Sequence, residues 1–214
     1  MGKKALVITK QHLPLELTSF DGCSVFPIPS GFFNLPVRMA DRDTCETDET
    51  TLQLIPYIVL RKPDSKWGDT FFVYARGKAG EEARLHGSLS IGLGGHVDHV
   101  PNESETLLAL LQREGAREFM EEANGTLDEP LKFVGLIVDN TNPVGRVHLG
   151  LLCFVNIIKD QELKLEADVI ENGQWLETSD LLSPDLLSPD GVDRLENWTR
   201  AVVNHVELQP QAAS

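Results

Sequence analysis

Glu118, Glu121 and Glu122 stand at positions i, i+3 and i+4 of the stretch Arg117-Glu118-Phe119-Met120-Glu121-Glu122-Ala123-Asn124-Gly125. On a helix this spacing puts three carboxylates on one face, where their oxygens converge on a hard cation. Glu114 stacks one turn earlier on the same side. Each like-charged pair costs a helix about 0.2–0.5 kcal/mol, and Arg113 and Arg117 cannot neutralise four carboxylates. A divalent cation is the natural remaining partner. The competing reading is a solvated acidic face, a common fate of glutamate in a chain of net charge −14. The upstream Gly94-Gly95-His96-Val97-Asp98 shifts the balance, because two glycines let a backbone turn sharply or approach a ligand.

The helix that would present these groups is legible in its apolar residues. Leu107, Leu108, Leu111, Ala116, Phe119, Met120 and Ala123 recur at steps of three and four, which predicts a helix with one buried side. Asn102 or Ser104 is the expected N-cap, and Asn124-Gly125 can adopt the left-handed conformation that stops it. Around the helix, residues 54–60 and 71–74 are β-rich runs parted by Pro63-Asp64-Ser65, which predicts a hairpin. Residues 88–93 lead into the glycine pair. Residues 132–138 and 147–158 read as strands joined by a turn at 139–143. Trp175-Leu176 reads as a short strand and 192–206 as a closing amphipathic helix. The N-terminal stretch 1–50 offers one expected strand, at 5–8.

Taken together, Gly95, Arg117, Glu118, Phe119, Glu121 and Glu122 resemble the signature of the Nudix hydrolases: Gly, five residues, Glu, seven residues, then Arg-Glu-aliphatic-x-Glu-Glu-x-Gly-aliphatic. The match departs from that pattern in three places. The interval from Gly95 to Arg117 is longer than the family's by eight positions. The position eight before Arg117 is Ala109 and not Glu, so Glu105 or Glu103 would fill the first Glu position. A four-residue helical insert turns a face by only about 40°, which would keep Glu105 in roughly the right direction. Asn124 stands where the family has Gly. Residues 53–57 and 86–97 further resemble a branch of predicted phosphoesterases related to MutT.

The resemblance implies an α/β fold, the Nudix-type α/β/α sandwich with a mixed β-sheet. It implies a hydrolase that cleaves a diphosphate linkage in a nucleoside diphosphate linked to another moiety, using metal-activated water. Glu118, Glu121 and Glu122 would hold Mg²⁺, with Mn²⁺ an alternative, and would form the catalytic set. Gly95, Arg76, Arg146 and His96 would contact substrate, and Arg117 and Glu105 would support the carboxylates from behind. The resemblance does not single out the general base: it is a Glu of this set or a residue on a distant loop, for which Glu171 is one candidate. His96 and His99 flank the glycine turn, whereas His148 reads as a core or rim histidine. Asp98 either helps bind cation or caps the turn. Two other functions share the fold: a catalytically inactive nucleotide-binding or regulatory module, favoured by the altered spacing, and a prenyl-diphosphate isomerase. The isomerase needs a reactive Cys, and Cys153 would have to serve.

Composition bounds the remainder. A chain of 214 residues with 41% hydrophobic content is expected to form one domain over 1–208, with an N-terminal extension at 1–50, a core at 51–206 and a flexible tail at 209–214. No run of about 18 apolar residues exists, and the first residues lack a secretory apolar core, so a cytoplasmic protein without membrane contact is expected. Three widely spaced cysteines argue against a disulfide framework or a zinc site of cysteines. The strong negative charge opposes nucleic acid polymers but admits a small phosphorylated substrate, since a bound cation reverses the local sign. The sequence leaves the oligomeric state open, with a homodimer one candidate because many proteins of this class pair symmetrically.

Overall fold

The computed structural model describes residues 2–63, 69–76, 88–102, 104–157, 170–181, 183 and 195–208. Its strands are β1 (Lys4–Thr9), β2 (Cys23–Phe26), β3 (Val37–Asp41), β4 (Thr51–Lys62), β5 (Thr70–Arg76), β6 (Leu89–Ser90), β7 (Gly92–Leu93), β8 (Phe133–Asp139), β9 (His148–Asn156) and β10 (Ile170–Glu177). Its helices are α1 (Leu15–Thr18), α2 (Arg42–Cys45), α3 (Leu107–Ala123), α4 (Thr178–Leu181) and α5 (Asn197–Leu208). The strands form one mixed sheet in the order β10-β5-β4-β9-β8-β2, with β1 beside β4 and β3 beside β1. The β4–β9 pair is parallel, from Gln53↔His148 to Arg61↔Asn156. The flanking pairs β4–β5 and β8–β9 are antiparallel.

Strand β4 shows why helices cover both faces. A strand's side chains alternate between faces, and here both sets are apolar. Leu54 packs with Leu110 and Leu111 of α3, and Ile58 and Leu60 pack with Phe119 and Ala123 of the same helix. Tyr57 and Val59 project the other way, against Ala201, Val202 and Val203 of α5. The result is the α/β/α sandwich expected from the sequence.

Helix α3 starts at Leu107, capped by Thr106, whose hydroxyl accepts from the Ala109 N–H at 3.2 Å. Asn102 and Ser104, the expected caps, lie in the turn before it. Asn124 ends the helix with φ 45° and ψ 33°, the left-handed stop read from the sequence. The buried face comprises Leu107, Leu110, Leu111, Glu114, Gly115, Phe119 and Ala123, while Met120 points outward. Gly115 lets the helix sit close to the sheet: a Cβ there would lie 2.6 Å from Leu131 Cδ1 and 3.2 Å from Pro56 Cβ.

The N-terminal stretch 1–50 does more than add a strand. Strand β1 pairs with β3 on one side and β4 on the other, and β2 pairs with β8. The turn at 64–65, the tail at 209–214 and Glu103 lie outside the described residues.

Candidate functional site

Arg117 is the hub of the polar face of α3. Its Nε donates to Glu114 Oε2 at 3.2 Å, Nη1 to Glu121 Oε2 at 2.7 Å and Nη2 to Glu118 Oε1. Spacings of −3 and +4 put Glu114 and Glu121 beside the arginine on one helix face, and the guanidinium also reaches Glu118 at +1. What secures it here is Glu114, only 1% exposed. That carboxylate also accepts from Arg113 and lies 2.9 Å from His99 Nδ1. His99 is equally close to Asp98 Oδ1 at 2.9 Å, and Asp98 lies 3.7 Å from Arg117 Nη2. A buried carboxylate is tolerated when several donors compensate it.

Glu122 is held from the sheet side. The Gly94 N–H donates to its Oε2 at 3.0 Å. Gly94 has φ 142°, and a Cβ there would fall 1.9 Å from the Pro56 carbonyl oxygen, so only glycine brings this N–H to the helix. Gly95 meets Glu118 in the same way, since a Cβ on it would lie 2.8 Å from Glu118 Oε2. The expected contacts of the glycine turn are therefore divided: Gly94 supplies the N–H and Gly95 the space. Burial pushes the Glu118 carboxyl above its ordinary range, outweighing the pull of Arg117 in the other direction. A carboxylate in this state gains from a nearby cation.

The three glutamates form an oxygen donor set on one helix, suited in kind to Mg²⁺ or Mn²⁺. Their arrangement is open: Arg117 occupies Glu118 and Glu121, and Gly94 draws Glu122. The described groups whose ligand atoms all lie within 4.8 Å of one another are instead Asp98, His99 and Glu114, and Glu46, His96 and His148.

Glu105 lies before the helix and not on it. It accepts from Asn102 N–H at 2.9 Å and pairs with Arg113, Nε to Oε1 at 3.0 Å. Its link to Arg117 therefore runs through Arg113 and Glu114, and Glu114 is the direct anchor that sequence reasoning left without a role. Arg76 forms an ion pair with Glu196, a residue 7% exposed at the start of α5. Arg146 pairs with Glu49 at 2.7 Å on a more exposed surface. Glu171 belongs to β10, but its side chain lies outside the described residues. His148 is buried, as a core or rim histidine would be, yet its Nε2 stands 3.1 Å from that of His96. Glu46 approaches both rings, a residue that no spacing in the sequence singled out. Cys153 is fully buried in β9, and burial pushes its thiol well above the ordinary value. A thiolate nucleophile at that position is disfavoured, which removes the chemical basis of the isomerase alternative.

No helix among the described residues is long and apolar enough to cross a membrane. No family model matches the chain. Protein YmaB of Bacillus subtilis (strain 168) is 31% identical over 172 residues, which span 79% of this chain and 78% of that protein. Among solved structures, Tm1382, described as a candidate Nudix hydrolase, has a TM-score of 0.69 and 26% identity, covering 97% of this chain and 100% of its own. A NUDIX hydrolase from Alicyclobacillus acidocaldarius shares the fold with a TM-score of 0.51 at 16% identity, covering 75% of this chain and 93% of its own.

Proposed function

Because the chain belongs to the Nudix superfamily, we propose that it is a hydrolase that cleaves the diphosphate linkage of a nucleoside diphosphate joined to another moiety. The observation that carries this reading is the placement of Glu118, Glu121 and Glu122 with Arg117 on α3, beside the Gly94-Gly95 turn. Glu118, Glu121 and Glu122 would hold Mg²⁺, or Mn²⁺ in its place. When bound, the ion supplies charge neutralisation for the diphosphate and a coordinated water of lowered pKa.

The chain's own residues do the rest. Arg117 fixes the rotamers of Glu118 and Glu121, and Glu114 fixes Arg117 from the buried side. The Gly94 N–H holds Glu122 toward the turn. Gly95 brings bare backbone against the Glu118 carboxylate, while the His96 ring meets His148 and Glu46. Arg146 is suited to phosphate because its present partner, Glu49, is an exposed carboxylate that an anion can replace. Arg76 is bound to a buried carboxylate and would have to give up a costly pair to reach substrate. The net charge of −14 favours a small soluble nucleotide over a nucleic acid polymer.

The test is product release from nucleoside triphosphates, dinucleoside polyphosphates, NADH, ADP-ribose and nucleotide sugars with Mg²⁺ or Mn²⁺, run on native protein and Glu121→Gln. The expected result is turnover of at least one compound that falls at least about 100-fold in the variant. Absence of turnover, with one compound still raising the melting temperature, would replace the hydrolase by a nucleotide-binding module of the same fold.

A further inference from the structure

We propose that Glu46, His96 and His148 form a second metal site, for a borderline divalent ion of the zinc class, distinct from the carboxylate face of α3. The Nε2 atoms of His96 and His148 are 3.1 Å apart, with the rings at 72° to each other. Two imidazole nitrogens each about 2.0–2.1 Å from one zinc ion stand roughly 2.8–3.4 Å apart at the angles of octahedral to tetrahedral coordination. Glu46 Oε1 lies 3.9 Å from His96 Nε2 and 3.8 Å from His148 Nε2, so a small swing of its carboxylate completes a triangle of donors.

The tautomer of His148 is set for this role. Its Nδ1 faces the Val144 carbonyl oxygen at 2.8 Å, an N–H donor position. In the neutral ring the lone pair then resides on Nε2, the atom facing the cluster. Metal-ligating histidines characteristically donate their other N–H to a backbone carbonyl in this way. Imidazole nitrogens favour zinc-class ions over Mg²⁺, whose preferred ligands are oxygens.

A second observation comes from Gln53. It is 1% exposed, and its Nε2 donates to Glu46 Oε1 at 3.3 Å. The other end of the same amide, Oε1, is a buried oxygen with no hydrogen-bond donor among the described residues. Leaving such an oxygen unsatisfied costs about 1–3 kcal/mol. The Nε2 end of the same amide orients the Glu46 carboxylate from the buried side of the cluster.

The site joins three parts of the fold. Glu46 follows α2, His148 opens β9 and His96 is the residue after Gly95. A bound ion would tie the N-terminal segment to the turn that faces the carboxylates of α3.

The experiment strips the full chain with a chelator, saturates it with Mg²⁺ and then titrates Zn²⁺ against a chromophoric competitor. Elemental analysis supplies the stoichiometry. The expected result is one zinc per chain retained in excess Mg²⁺. Glu46→Gln and His148→Asn should each weaken zinc by at least about 100-fold, the upper end of what loss of a supporting partner costs, while Glu121→Gln binds as native does. Co²⁺ should give visible bands that Glu46→Gln alters, and this variant serves if His148→Asn does not fold. Zinc that is not retained, that binds equally to Glu46→Gln, or that is lost with Glu121→Gln would overturn the proposal. The last outcome would assign the zinc to α3, and the Mg²⁺-dependent hydrolase would be judged separately by turnover.

Discussion

Glu118 is held largely out of water beside Glu121, and burial raises its pKa despite the arginine on its Oε1. A raised carboxyl pKa means that the folded state binds this proton more tightly than the unfolded chain does. Its contribution to stability is therefore fully present below the ordinary carboxylate range and is lost as pH rises through the raised value. In chelator, Glu118→Gln should flatten this fall and raise the melting temperature near neutrality. The same variant should lose the rise that Mg²⁺ gives native protein. A variant that melts lower than native in chelator, at neutral pH, would show that the Arg117 contact outweighs the burial. Glu114 is a buried carboxylate that accepts hydrogen bonds from Arg113 and Arg117. Glu114→Ala should cost about 1.5–3 kcal/mol by loss of hydrogen bonds to charged groups, measurable by urea unfolding. It should also weaken Mg²⁺ activation, since Arg117 would no longer be anchored.

The two ends of the carboxylate site are set by elements with different tolerances. Thr106→Ala removes one cap hydrogen bond and should cost about 1 kcal/mol, with an unchanged dependence on denaturant. Gly94→Ala forces a Cβ to 1.9 Å from the Pro56 oxygen at φ 142°, so strain and overpacking together should cost about 3 kcal/mol or more. Comparable stability of the two variants in urea would contradict this geometry. The elements that build this site were legible in sequence because their signals are local. The period of α3 and the apolar runs of β4, β5, β8 and β9 name themselves. Strands β2 and β3 do not: Cys23-Ser24-Val25-Phe26 and Val37-Arg38-Met39-Ala40-Asp41 are short and mostly half-exposed, and only their pairing with β8 and β1 makes them strands. The site divides in the same way. The glutamate spacing lies within one helix, but the Gly94–Glu122 contact spans 28 positions and Glu46 reaches His148 from across the fold. No pattern within a single element encodes such contacts.

At the scale of the whole molecule, the question is whether the N-terminal stretch 1–50 forms an appendage or part of the core. Val7 and Ile8 pair with Gln53 and Leu52 of the central strand β4, and the Leu6 N–H donates to the Val97 carbonyl at 2.8 Å, close to Gly95 in the chain. Leu6, Ile8, Leu17 and Phe32 are each at most 2% exposed and pack in one cluster with Leu54, Leu110, Leu111, Leu149 and Leu151. Burying each such side chain stabilises a fold by about 1.5–3 kcal/mol, so these four contribute roughly 6–12 kcal/mol. A domain's entire stability is about 5–15 kcal/mol. The segment is therefore on the same scale as the margin that keeps the protein folded, and its removal would also unpair one edge of β4. A chain of residues 51–208 should fail to melt cooperatively, should bind a dye specific for exposed apolar surface and should show no Mg²⁺-dependent turnover. Cooperative melting of that shortened chain near the native temperature would mean that the core packs without β1, and that the N-terminal segment acts only at the turn bearing His96.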